Sequence, residues 1–318
     1  MKRVLVWLAA ALLAGAAQAQ DKVMISITTG PTGGVYYPLG GGIANILSKY
    51  VPGYAANAES TAGSVANLQL MTQGKTNLAL SMADAAYDGY KAQGKFSGGA
   101  VPVRTLMVAY PNRMHVVTVE GRGNNSFADL KGKRVSTGAP NSATELMTQR
   151  LLEAYGMDWT KDIRRERLTP EKSAEAIKDN KLDAFFFVVG IPTSSVTDLA
   201  ATPNTKLKLI DHADAVEKMV AKHGPLYVRD VIPTGSYPGQ DKPNAVATVQ
   251  NLLVAHKDMP DQVAYNILKT IFDKKAELIQ VHKEAANFDV KHQSKAGGTI
   301  PYHPGAVKYF AEQGIKLD

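Results

Sequence analysis

The densest group of residues suited to binding chemistry is Thr29-Gly30-Pro31-Thr32-Gly33-Gly34-Val35-Tyr36-Tyr37-Pro38, a glycine-rich loop between a strand-like and a helix-like pattern. Glycine lets a backbone turn sharply and approach a ligand closely. The helix start behind it exposes unpaired N–H groups and the positive end of the helix dipole, a general anion site. No Gly-Lys-Ser/Thr follows, which excludes a Walker loop, and the Rossmann G-x-G-x-x-G fingerprint is missing too. What the loop suits is a carboxylate or a similar small anion. A second unit, Gly63-Ser64-Val65-Ala66-Asn67-Leu68, puts a capping hydroxyl at Ser64 and an amide one turn on at Asn67. A third, Gly138-Ala139-Pro140-Asn141-Ser142-Ala143-Thr144-Glu145, repeats the arrangement in the second half of the chain. There Ser142 and Glu145 have capping-box spacing, so a structural role is expected for Glu145.

Catalytic and metal chemistry find little support. No serine sits in a G-x-S-x-G elbow, and the seven histidines show neither H-x-H nor H-x-x-x-H pairing. Each histidine is expected at the surface or in a loop rather than on a metal. With no cysteine, the chain lacks disulfides, thiol nucleophiles and cysteine-ligated clusters. No catalytic residue, metal ligand or cofactor is assigned. The formal charge of +7 is dilute, with its densest runs at Lys131-Gly132-Lys133-Arg134 and Arg164-Arg165-Glu166-Arg167. Neither run is interleaved with aromatics, which argues against nucleic acid.

The elements that must position the three units alternate regularly. Strands are expected at 22–28, 56–60 and 77–82, each followed by a helix, at 35–50, 64–73 and 84–92. Two short strands, 106–110 and 115–119, bracket Pro111-Asn112-Arg113. The alternation then restarts, with strands at 133–137, 163–168, 182–189 and 207–210 and helices at 142–155, 170–179 and 192–199. A long strand at 244–256 precedes helices near 262–272 and 306–313. Two rounds of strand and helix predict two α/β lobes with a cleft between them, where helix starts converge on a ligand. At 318 residues and 45% hydrophobic composition the chain is long enough for both lobes.

The first residues read as a secretory leader: Lys2 and Arg3, an apolar stretch from Val4, then Ala17-Gln18-Ala19. Residues 4–17 are too short for the roughly 20 positions of a membrane helix. Cleavage after Ala19 would remove Lys2 and Arg3 and take the charge from +7 to +5, at most a bias toward anionic solutes. The expected location is the periplasm.

Together these motifs resemble the TAXI family, the solute receptors of one branch of the tripartite ATP-independent periplasmic (TRAP) transporters. The resemblance spans nearly all of the chain after the leader. It rests on TGPTGGVYYPLGGGIA (29–44), GSVANL (63–68), NLALSMAD (77–84), LKGKRVSTGAPNSATE (130–145), KLDAFFFVVGIP (181–192) and IPYHPGAVKYFAEQGI (300–315). It implies a type II-like two-lobed periplasmic-binding-protein fold, with one lobe at 20–111 plus 246–318 and the other at 112–245, hinged near 110–113 and in 244–256. It also implies capture of a small organic acid or amino acid, chiefly a dicarboxylate such as 2-oxoglutarate or glutamate, for delivery to a TRAP membrane transporter. Ligand contacts carried over by motif are Thr32, Gly33, Gly34, Val35, Tyr36, Ser64, Asn67, Asn141, Ser142, Ala143, Val189 and Gly190. Ser81, Arg113 and Arg104 are further candidates. Met82 and Ala83 stand where the family carries glutamine and often serine before the aspartate, and Ala143 where it often carries glycine. Loss of that amide favours a dicarboxylate without an amine, because a buried ammonium needs acceptors. The alternatives are a receptor for an ATP-driven importer or a sensor kinase and, from another class, an exported hydrolase or isomerase using the same cleft.

Overall fold

The computed structural model describes residues 22–293 and 300–317. The expected leader lies outside them. Ten strands form one mixed sheet: β1 (Val23–Thr28), β2 (Tyr54–Glu59), β3 (Leu78–Met82), β4 (Val103–Val119), β5 (Arg134–Ser136), β6 (Arg164–Glu166), β7 (Ala184–Val189), β8 (Leu207–Leu209), β9 (Tyr227–Ile232) and β10 (Asn244–His256). At one end β2, β1 and β3 run parallel, and at the other so do β7, β5 and β6. The long strands β4 and β10 pair antiparallel between these groups; β10 borders the first group through β3 and also carries β9, and β4 borders the second through β7 and also carries β8.

Each parallel strand is followed by a helix. Helices α1 (Tyr36–Tyr50), α2 (Ser64–Thr72) and α3 (Ala83–Tyr90) follow the first group, and α4 (Ala143–Ala154), α5 (Pro170–Lys178) and α6 (Ser194–Ala200) the second. α7 (Val216–His223) lies between β8 and β9, while α8 (Asp261–Asp273), α9 (Lys275–Val281) and α10 (Pro304–Glu312) close the chain. α8 and α9 pack on α1, and α10 on α8, so the chain's end returns to the first group.

Helices cover both faces of the sheet. Side chains alternate along a strand, so Phe185, Phe187 and Val189 of β7 join the core that holds Ile27, Leu39 and Val196. Ala184, Phe186 and Val188 join the opposite core with Leu68, Met82 and Met147. A strand buried on both faces must be apolar at every position, which explains the run AFFFVV.

The two short strands expected on either side of Pro111 are one strand, β4, of 17 residues. Pro111 lies opposite Gln250, beside a register shift between Gln250 and Leu252. A strand accepts proline at such an irregularity because the ladder there is already interrupted. β9, α7 and α9 were not expected. In β9 the sequence YVRDVI groups its apolar residues in adjacent pairs, which hides the two-residue period of a strand.

The expectation of peripheral histidines also needs correcting: His115, His212 and His303 are fully buried. His115 Nε2 lies 2.7 Å from the Tyr237 hydroxyl. His212 Nδ1 lies 2.9 Å from the Ile210 carbonyl. His303 caps α10, its Nδ1 accepting from Gly305 N–H at 3.2 Å. Burial pulls the His115 and His212 imidazoles from 6.5 down to about 4. The unfolded chain binds these protons near pH 6.5 and the folded chain only near 4. Stability is therefore lost as pH falls through that window, by about 1.4 kcal/mol per pH unit for each histidine. Burial lowers His223 to about 4 as well, so urea denaturation between pH 7 and 5 should show this decline, and His212→Gln should remove part of it. A profile flat over that range in the unmodified protein would contradict the assignment.

Candidate functional site

Two halves of the sheet present their strand ends to one gap, and a narrow cavity, partly open to solvent, lies there. Its lining includes the starts of α1 (Val35, Tyr36), α2 (Ser64) and α4 (Ala143, Thr144), joined by Pro170 at the first turn of α5. Backbone N–H groups of Val35, Tyr36, Ser64, Ala143 and Thr144 have no acceptor among the described residues. First-turn N–H groups are orphans by helix geometry, so the cavity collects unpaired donors and positive dipole ends from both halves.

The walls are apolar and aromatic, with Met82, Leu168, Phe186, Phe187, Val188 and Val189 on one or another side. None of the lining residues carries a charge. β4 supplies the polar floor. Tyr110 and Asn112 are two positions apart, share a face, and are 1% and 2% exposed. Asn112 Nδ2 donates to the Val188 carbonyl at 3.3 Å, which leaves Oδ1 as a free acceptor. Both Asn112 Oδ1 and the Tyr110 hydroxyl are buried without a partner among the described residues. Tyr36 stands edge-on to Tyr110, with ring centroids 6.5 Å apart, and its hydroxyl donates to Asn251 Oδ1. Burial pushes both phenols far above their ordinary value, so they remain neutral hydroxyls.

Of the residues expected to meet ligand, Gly34, Val35, Tyr36, Ser64, Ser142, Ala143 and Val189 line the cavity. Ser64 Oγ accepts from Met82 N–H at 3.0 Å, tying α2 to the end of β3. Ser142 caps α4 by accepting from Glu145 N–H at 3.1 Å, and its own proton goes to the Ala139 carbonyl at 2.7 Å. Glu145 does not complete a capping box. Its carboxylate takes Arg165 and Arg167, two of the three arginines of the basic run at 164–167.

The other expected residues are placed elsewhere. Asn67 is turned into the frame: Nδ2 donates to the carbonyls of Thr29 at 2.6 Å and Leu80 at 2.8 Å, while Oδ1 accepts from Thr61 at 2.6 Å. Ser81 is buried in β3, its hydroxyl donating to Met82 O at 3.1 Å. Arg104 lies at the start of β4, donating to Val103 O at 2.8 Å and standing over Tyr90. Arg113 lies between Asp230 at 2.9 Å and Glu284 at 3.7 Å, and so locks the crossing strands rather than reaching the cavity. Gly190 sits behind the wall, where an added Cβ would fall 2.9 Å from the Tyr110 ring and 2.8 Å from Glu284.

Thr32, Gly33 and Asn141 bridge the two halves at the mouth. Thr32 Oγ1 donates to Glu171 Oε1 at 3.4 Å, and Gly33 N–H donates to the same oxygen. Gly33 O accepts from Thr193 Oγ1 at 2.6 Å and from Ser195 N–H at 3.3 Å. On the other side Asn141, held at φ 61°, presents its carbonyl to Ala66 N–H at 3.0 Å. The halves are closed on each other. Tyr110, Asn112, Phe186, Phe187 and the α5 start were not foreseen as cavity residues. For Tyr110 and Asn112 the signal was the two-residue period through 110–112, which Pro111 disguised.

Residues 27–314 match the NMT1-like family, and the chain belongs to it. Among solved structures it is similar to a protein from Bordetella bronchiseptica RB50, with 16% identity, a TM-score of 0.52, and coverage of 93% of this chain and 82% of that one. An ancestral arginine-binding protein bound to arginine matches at 11% identity and a TM-score of 0.50, covering 83% and 98%. The periplasmic aliphatic sulphonate binding protein of Escherichia coli is 15% identical, with a TM-score of 0.49 and coverage of 91% and 82%. At these identities the likeness is one of fold, and the fold is that of a two-lobed binding protein.

Asn67 gives a direct check on this geometry. Asn67→Ala would remove the buried amide that donates to the Thr29 and Leu80 carbonyls and the oxygen that accepts from Thr61, and should destabilise the protein by about 2–4 kcal/mol in urea denaturation. A loss under about 0.5 kcal/mol would show that Asn67 does not hold the frame.

Proposed function

We propose that the chain is an exported solute receptor that closes around a small organic anion and hands it to a membrane importer. The observation that carries this reading is the convergence of helix starts from both halves on one cavity, at a mouth bridged by Gly33 and Asn141. A carboxylate there accepts from backbone N–H groups without needing a cationic side chain. A cation such as arginine would meet no acid among the lining residues.

The lobes are 20–111 with 246–318, and 112–245, moving about the crossing strands near Tyr110–Arg113 and within β10. A ligand that touches both lobes favours the closed state by its differential affinity. The membrane partner is an importer. An ATP-driven kind is the first reading, and a TRAP transporter, which rests on the motif resemblance alone, is the second. Uptake abolished by ATP depletion but not by an ionophore supports the first, and the reverse supports the second. Catalysis fits poorly: no histidine lines the cavity, and the hydroxyls of Ser64 and Ser142 are committed to backbone groups.

The test is a thermal-shift and calorimetry screen of small carboxylates, dicarboxylates and amino acids. A ligand at a hundred times its Kd should add about 2.7 kcal/mol of apparent stability. The radius of gyration should fall on binding. Thr193→Val with Glu171→Gln, which loosens the mouth, should weaken the same ligand by about 1–2 kcal/mol. Absence of binding across the screen, or turnover of a bound acid to product, would contradict the receptor reading.

A further inference from the structure

We propose that the ligand is a monoanion whose far end is a neutral hydrogen-bond donor, an amide or a hydroxyl, selected by Asn112 and Tyr110 on the floor of the cavity. This rests on reading the cavity as the ligand site. It differs from the dicarboxylates that the motif resemblance implies.

Two independent features set the chemistry at the two poles. The helix starts offer donors only, which suits one carboxylate. The floor offers a lone acceptor at Asn112 Oδ1, fixed in that orientation because Nδ2 donates to Val188 O at 3.3 Å, beside a Tyr110 hydroxyl that can donate or accept. Both residues are at least nine-tenths buried, so leaving these atoms unpaired is costly, and a ligand end that pairs both is favoured. A second carboxylate is acceptor-only and would face the Asn112 oxygen with no cation among the lining residues. Acids lie near the cavity as well: Glu171 at the mouth and Glu284 behind Gly190, where the latter is drawn on by Arg113 and Ile191 N–H. An ammonium would find no counter-charge among the lining residues and would meet the Tyr110 hydroxyl and Asn112 Oδ1 as neutral acceptors only. An amide donates to Asn112 and accepts from Tyr110. A hydroxyl donates to one and accepts from the other. The aromatic walls cover the aliphatic stretch between the poles.

Isosteric pairs test this by calorimetry on the ligand-free protein: succinamate against succinate, and glutaramate against glutarate, with pentanoate as the apolar-ended control. The amide of at least one pair should bind ten times or more tighter than its dicarboxylate. Asn112→Leu should weaken that amide at least tenfold while pentanoate binds as well or better, a gain that a misfolded variant would not show. Tyr110→Phe should weaken the amide without improving the dicarboxylate. A dicarboxylate that binds as tightly as its amide, or an amide-to-pentanoate ratio unchanged in Asn112→Leu, overturns the inference and leaves the receptor reading standing. Failure of every member of both pairs also overturns it, and the wider acid screen then judges the receptor reading separately.

Discussion

Because β4 and β10 pair antiparallel from Val103 to Arg113 and then continue into separate partnerships, two parallel sheets are forced to share one seam. Each sheet's strands end at that seam, and each strand end feeds a helix. The helix starts of both halves therefore open toward the same gap, and their unpaired N–H groups concentrate there without any charged residue being placed for the purpose. The seam also explains why Tyr110 and Asn112 form the floor. They lie where β4 leaves its pairing with β10 and takes up β7.

The charged side chains do a different job. Arg113 lies between Asp230 and Glu284 at the crossing, and Arg150 of α4 holds Asp88 and Asp84 of α3 across the two halves, with Tyr227 between them. These pairs sit beside the cavity rather than in it. Breaking one partner of a buried pair strands the other, so they fix how the halves meet. A neutral cavity inside a charged frame is consistent with recognition by hydrogen bonding and shape rather than by strong ion pairing.

Much of this was legible in the sequence. The alternation of elements predicts the α/β architecture, and the loops at Gly30–Gly34, Gly63–Ser64 and Gly138–Ala143 carry the mouth and much of the lining. What was hidden had physical reasons. Asn67 has helix-face spacing with Ser64, yet spacing does not say which carbonyls surround an amide, and here three lie within reach of it. Pro111 signals a break where the strand instead absorbs it in an irregular register, so the floor residues on either side went unseen. The buried histidines were missed because a lone histidine, whether in a strand like His115 or between elements like His212 and His303, carries no sign of the hydroxyl or carbonyl it will meet.

Amide hydrogen exchange, read with and without the tightest-binding acid, tests the central claim most directly. Protection gained at the amides of Val35, Tyr36, Ser64, Ala143 and Thr144 together is the predicted result, since a bound carboxylate must take its hydrogen bonds from helix starts in both halves. Protection confined to one half, or arising away from these starts while the acid is bound, would contradict it.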